Sequence, residues 1–183
     1  VIVAQFYPAL DEALKEFIAA QHLFFVATAP GEGRVNLLPK GMDTFRVIDD
    51  GTVAYLDLTG SGNETAAHLR DNGRITIMWC SFTGAARIVR IFGRGRSVRP
   101  GAAEFDGLLA RFPAIPGARQ IMLIEVEQAQ TSCGYSVPQY DLVRERPTLV
   151  KWAEKKSGDE LRAYWSRKNT RSIDGLPTGI FDE

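Results

Sequence analysis

Short β-rich segments, each closed by glycine, proline or aspartate, follow one another along most of this chain, and they constrain the fold more than any other feature. His22–Thr28 runs into the turn Pro30-Gly31-Glu32-Gly33 and returns as Arg34–Leu38, stopped at Pro39, which is the pattern of a hairpin. Thr44–Ile48 and Thr52–Leu58 flank Asp49-Asp50-Gly51 as a second hairpin. Arg74–Cys80 and Ala86–Val98 are rich in β-branched and aromatic residues and pair across Ser81–Ala85. Gln120–Gln130 is the last long strand, with Met122, Ile124 and Val126 alternating against Leu123, Glu125 and Glu127. Helical spacing appears over residues 9–20 (Leu10, Leu14, Phe17, Ile18) and 102–112 (Phe105, Leu108, Leu109, Phe112). Near the C-terminus Pro147 opens one helix that stops near Gly158, and Asp159 caps another carrying Leu161, Tyr164 and Trp165. Six or seven short strands with helix-rich ends predict a mainly β fold with flanking helices, a closed or nearly closed antiparallel barrel. Strand and helix do not alternate regularly enough for a doubly wound sheet.

The 183 residues suit one compact domain with appended helices, and 45% hydrophobic against 24% charged residues is enough to build a core. Lysine plus arginine equals aspartate plus glutamate at 22 each, which speaks against a nucleic-acid partner or a polybasic membrane contact. Apolar runs are too short to span a bilayer and the first residues do not read as a signal peptide, so a cytoplasmic location is expected. Cys80 and Cys133 lack metal-ligand spacing and read as two buried reduced thiols. Two histidines, His22 and His68, are too few for a histidine-rich metal site, and no metal is expected. His68 reads as a surface residue.

Two stretches bear on chemistry. In Asp57–Gly73 a strand meets Gly60-Ser61-Gly62 and then a helix start; Ser61 and Glu64 have the spacing of a capping box, and Asp71-Asn72-Gly73 reads as the stop. Such a start is either an anion site, since unpaired N–H groups point out of it, or an ordinary capped helix. In Arg87–Arg96 both faces of a strand mix arginine with apolar residues, and Gly93 and Gly95 permit a bend or bulge. Its arginines either hold a phosphate or are simply solvated. The tail 171–183, with turns at Asp174-Gly175 and Leu176-Pro177, is expected to lie extended over the surface.

The order of these elements, together with Arg34-Val35-Asn36-Leu37-Leu38-Pro39-Lys40, the strand–turn–helix of Asp57–Gly73 and Arg87-Ile88-Val89-Arg90-Ile91-Phe92-Gly93-Arg94-Gly95, resembles the pyridoxamine 5′-phosphate oxidase-related family of FMN-binding split barrels over about residues 6–135. Ser132–Pro138 and Arg171–Pro177 are similar to signatures of an uncharacterised branch of it. The resemblance implies a split antiparallel β-barrel over residues 1–135 and a C-terminal helical extension, 136–183, packed on the barrel or on a partner. It implies a homodimer with FMN at the subunit interface. By position, the flavin contacts are Asn36, Leu37, Leu38, Pro39, Lys40, Leu58, Thr59 and Gly60, and the phosphate contacts are Ser61, Asn63, Thr65 and Arg87. Lys40 near the pyrimidine side of the ring would tune its charge. The implied function is an FMN-dependent oxidoreductase of an unknown small molecule; no catalytic residue is identified, Tyr135 and Lys40 being the only candidates for proton transfer.

The chain departs from true pyridoxamine phosphate oxidases in three places. Asn63-Glu64-Thr65 stands where they carry Ser-Arg-Lys, Ile88 replaces a glutamine, and Arg171-Ser172-Ile173 lacks their Arg-x-His motif. Formation of pyridoxal phosphate is therefore not expected. A flavin- or haem-binding sensor or storage protein, and a structural dimer without cofactor, are the alternatives.

Overall fold

The computed structural model describes residues 4–182. Its chain order is β1 (Gln5–Tyr7), α1 (Glu12–Ala19), β2 (Phe24–Thr28), β3 (Asn36–Lys40), β4 (Phe45–Asp49), β5 (Thr52–Leu58), α2 (Glu64–Asn72), β6 (Arg74–Cys80), β7 (Arg87–Val98), α3 (Phe105–Leu109), β8 (Ala118–Cys133), α4 (Thr148–Glu154) and α5 (Gly158–Lys168). One antiparallel sheet runs β3-β2-β6-β7-β8-β5-β4. β3 and β4 are its two ends. They follow each other in sequence without pairing, which leaves the barrel split between them. Packing closes what hydrogen bonds do not: Phe45 of β4 stacks edge-on against Phe24 of β2 and Trp79 of β6, with ring centroids 5.2 and 4.8 Å apart.

The edge position of β3 explains how Pro39 sits inside a strand rather than ending it. Pro39 faces Phe25 across the β2 ladder, and its missing N–H is not needed on the open side. β8 runs longer than its apolar alternation suggests, because one edge carries β7 along nearly its whole length while the other carries β5 and then β1.

Burial follows from this topology. Val53 and Tyr55 of β5, with Met122 and Ile124 of β8, point into the main core with Phe24, Val26, Ile77, Trp79 and Ile91; Leu10, Leu14 and Ile18 of the α1 region join them. Asp11 starts α1 by accepting the Leu14 N–H at 2.8 Å. On the opposite face of the same two strands, Ala54, Leu56 and Ile121 pack with Phe105, Leu108 and Phe112 as a second cluster. β5 is thus covered on both faces, which its near-continuous apolar run requires. The register of β7 against β8 shifts between Phe92 and Gly93, a bulge at which the Glu125 carbonyl occupies the space a side chain on Gly93 would need. The helix expected over 102–112 is shorter: α3 covers Phe105–Leu109, with tighter three-residue turns on either side (Phe105 N–H to the Ala102 carbonyl, Phe112 N–H to that of Leu109), and Phe105, Leu108 and Phe112 still pack together.

One of the two cysteines differs from expectation. Cys80 is buried, and burial pushes its thiol up, but Cys133 at the end of β8 is exposed.

Candidate functional site

β5 ends in Asp57-Leu58, and the chain turns through Thr59–Gly62 before α2 begins. Asp57 is a lone carboxylate in an apolar strand, 2% exposed, so it must be compensated from within the fold. Arg119 of β8 donates to it at 2.6 and 3.1 Å, Lys40 of β3 at 2.7 Å and Gln120 at 2.8 Å. Burial opposes its charge, yet Arg119 and Lys40 together hold the carboxyl well below the ordinary 3.8. Gln120 also donates to Asn63 Oδ1 at 2.7 Å, and Arg119 to the Gly62 carbonyl at 3.1 Å. One buried polar network therefore ties β3, β5 and β8 to the start of α2.

α2 is not capped as its spacing predicts. Asn63 is the N-cap residue and its side chain makes no capping bond. Glu64 instead lies in the wall beside Gly62 and accepts the Ile173 N–H, at 3.0 and 3.2 Å. The Ser-x-x-Glu capping box that does form is Ser157 with Glu160, at the start of α5 in the place given to Asp159. The helix stop at Gly73 is as expected, with φ of 74°.

The tail does not lie loosely on the surface. Asn169, Ser172 and Thr178 are buried. Asn169 donates to the Gly60 carbonyl at 3.2 Å, Trp165 Nε1 donates to Thr59 Oγ1 at 2.8 Å, and Arg34 pairs with Asp174. Backbone turns and polar side chains, not apolar periodicity, hold this segment, and for that reason its docking leaves no pattern in the sequence.

These contacts frame a polar cleft of about 720 Å³ between β3, the β5–α2 turn and the segment after α5. Nine of the twelve expected cofactor contacts line it: Asn36, Leu37, Leu38, Lys40, Leu58, Gly60, Ser61, Asn63 and Thr65. Pro39 and Thr59 sit nearby in the chain but outside its wall, Thr59 donating to the Gly117 carbonyl at 2.8 Å. Arg87 is not brought there. It lies at the far end of β7, its guanidinium 5.9 Å from the centroid of Phe17. Tyr135 is 69% exposed and does not line the cleft. Lys40 does line it, but its charge is already shared with Asp57.

Several lining residues escape a sequence reading. Arg119 falls just before the apolar run of β8 and looks like a loop residue; the signal that could have found it is the isolated Asp57, which demands a buried cation. His68 is not on the surface but 1% exposed, because α2 is packed against β2 and β7. Its Nδ1 is 3.0 Å from Thr28 Oγ1, while Nε2 is buried without a partner. Lys168 and Arg171, also in the wall, come from the C-terminal segment.

A second cleft of about 1170 Å³ opens between α1, the β3–β4 turn and α4. None of the expected contacts lines it, nor does any buried unpartnered polar atom among the described residues.

A split antiparallel barrel with a basic cleft at the start of its internal helix defines the class of protein. Comparison with known proteins agrees. Residues 10–133 match the family described as Pyridoxamine 5'-phosphate oxidase. The chain is 39% identical over 190 aligned positions to the Pyridoxamine 5'-phosphate oxidase family protein ustO of Aspergillus flavus, covering 94% of this chain and 76% of that protein. Among solved structures, HupZ of Group A Streptococcus is similar with a TM-score of 0.52 at 26% identity, over 66% of this chain and 91% of that one. A candidate pyridoxamine 5'-phosphate oxidase from Lactobacillus delbrueckii has a TM-score of 0.53 at 19% identity, over 67% and 94%, and shares the fold. The chain belongs to the pyridoxamine 5′-phosphate oxidase family.

Proposed function

We propose that this protein is an FMN-binding flavoprotein, a homodimer that acts as an oxidoreductase on a small molecule, with the cofactor in the cleft beside α2. The observation that carries this reading is the make-up of the cleft. Arg34, Lys40, Arg119, Lys168 and Arg171 face Asp57, Glu64 and the Arg34-bound Asp174, an excess of two positive charges that suits a phosphomonoester. The unpartnered Nε2 of His68 and the backbone N–H groups at Gly60–Gly62 add polar capacity to one end. The β3 residues Asn36–Leu38 and Leu58 present backbone and apolar surface along the rest.

FMN, when bound, supplies hydride and electron transfer. The chain's residues bind and orient. Thr65 and the backbone at the start of α2 offer polar groups to a phosphate, and the Glu64 carboxylate in the same wall is engaged by the Ile173 N–H. Asp57 and Arg119 hold Lys40 in a defined place, so its charge faces the cleft from a rigid mount. The homodimer reading is supported by exposed apolar residues at the lip, Val35, Leu37 and Ile173, with 75%, 66% and 70% of their surface open. Arg87, which does not line this cleft, would enter the site from the second subunit of such a dimer. Two unpaired cysteines fit a reducing, cytoplasmic setting.

The test is the visible spectrum of purified protein before and after adding FMN. A saturable flavin band near ~450 nm is expected. A protein that stays colourless and leaves FMN free in equilibrium dialysis overturns the reading, and a Soret band replaces it with haem binding.

A further inference from the structure

The start of α2 carries an acid, Glu64, and two neutral residues, Asn63 and Thr65, so the cations for a phosphate must come from elsewhere in the cleft. Lys40 and Arg119 are engaged by Asp57, and Arg34 by Asp174. Two cationic side chains of the wall have no carboxylate partner among the described residues: Lys168, the last residue of α5, and Arg171, whose guanidinium meets only the Gly175 carbonyl at 2.8 Å. The backbone that carries both is held by its neighbours. Asn169, between them, is fully buried and bonds to Gly60, and Ile173 bonds to Glu64.

The same cleft holds an orphaned donor. Asn36 Nδ2 donates to Thr28 Oγ1 at 3.2 Å. Among the described residues the Thr28 hydroxyl hydrogen then has no acceptor but His68 Nδ1, which assigns the imidazole hydrogen to Nε2. That N–H is buried and unpaired, a costly state that an anionic oxygen in the cleft would relieve.

We infer that Lys168 and Arg171, from the segment after the barrel, are the phosphate-binding cations of this protein, with His68 Nε2–H as their buried neutral partner. The C-terminal segment thus takes over the charge that α2 lacks, and Glu64, by accepting the Ile173 N–H, helps to dock it alongside Asn169 and Asp174. This rests on the flavin reading above for the identity of the ligand, but not for the anion chemistry.

The experiment compares FMN with riboflavin, which lacks the phosphate, on the full chain and on its K168Q/R171Q variant, by flavin fluorescence at two salt concentrations. Inorganic phosphate is added in parallel as a thermal-shift probe. The wild type should prefer FMN, and the variant should lose that preference by about tenfold or more while riboflavin affinity stays within about twofold. The wild-type preference should shrink as salt rises. An unchanged FMN-to-riboflavin ratio in the variant overturns the assignment and leaves the flavin reading standing. If neither flavin binds but phosphate raises the melting temperature of the wild type and not of the variant, the anion site stands and the flavin reading falls. If neither flavin nor phosphate acts on the wild type, both fall. K168R/R171K, which keeps the charges, should restore the preference, and its failure to do so would also overturn the assignment.

Discussion

At the scale of single residues, Asp57 is the group on which the site's rigidity depends. Replacing it by alanine leaves Arg119 and Lys40 facing each other without a counter-charge, and breaking such a buried pair costs about 3–5 kcal/mol, measurable by urea unfolding at neutral pH. Asp57 also makes stability depend on pH. Its carboxyl in the folded chain lies below the ordinary 3.8 of the unfolded one, so its contribution is complete above that value and drains as pH falls towards the folded value. Asp57→Asn should therefore be less stable at neutral pH yet lose stability less steeply below pH ~4, in acid titrations followed by circular dichroism. Gly93 is another residue whose identity is forced. Any Cβ there overlaps the Glu125 carbonyl, so Gly93→Ala should destabilise by roughly 1–3 kcal/mol or more, again by urea unfolding. That glycine was legible as a bulge because glycines inside a strand have few other uses. Asp57 was equally visible in sequence, but its partners were not: Arg119 is 62 residues away, and nothing local pairs them.

At the scale of elements, two stretches with the same Ser-x-x-Glu spacing behave differently. Ser157 and Glu160 close a capping box on α5, whereas Ser61 and Glu64 do not on α2. Ser157→Ala should cost about 1 kcal/mol and Ser61→Ala almost nothing, a contrast read from thermal unfolding of the two variants. The difference is one of surroundings. Around α5 the box faces solvent and has no competitor, while at α2 the Ile173 N–H and the buried Gln120 amide claim Glu64 and Asn63 first. Strand positions were read within a few residues because alternation and turn residues are local signals. The edge position of β3, which lets Pro39 stay inside it, is a property of sheet order, and sheet order is not local.

At the scale of the whole molecule, ligand binding and assembly are coupled predictions. FMN at a hundred times its dissociation constant should stabilise the protein by about 2.7 kcal/mol, a rise of roughly 5–10 °C in melting temperature for a chain of this size. Arg87 separates a site made by one subunit from one shared between two. If it enters from the partner, Arg87→Ala should weaken FMN by roughly 1–3 kcal/mol without altering the dimer in sedimentation. An unchanged affinity confines it to its stacking on Phe17.

The sequence by itself determined the β-rich architecture, the helix after β5 and the bulge in β7, since each is written in residues close together in the chain. Only the tertiary structure decided how charge is distributed there. It buried Asp57 between Arg119 and Lys40, paired Glu64 with the Ile173 N–H, kept Arg87 at the far end of β7, and folded Lys168, Arg171 and Asp174 back over the start of α2. Electrostatic partnership depends on distance in space and on removal from water, and along this chain the partners stand as many as 140 residues apart.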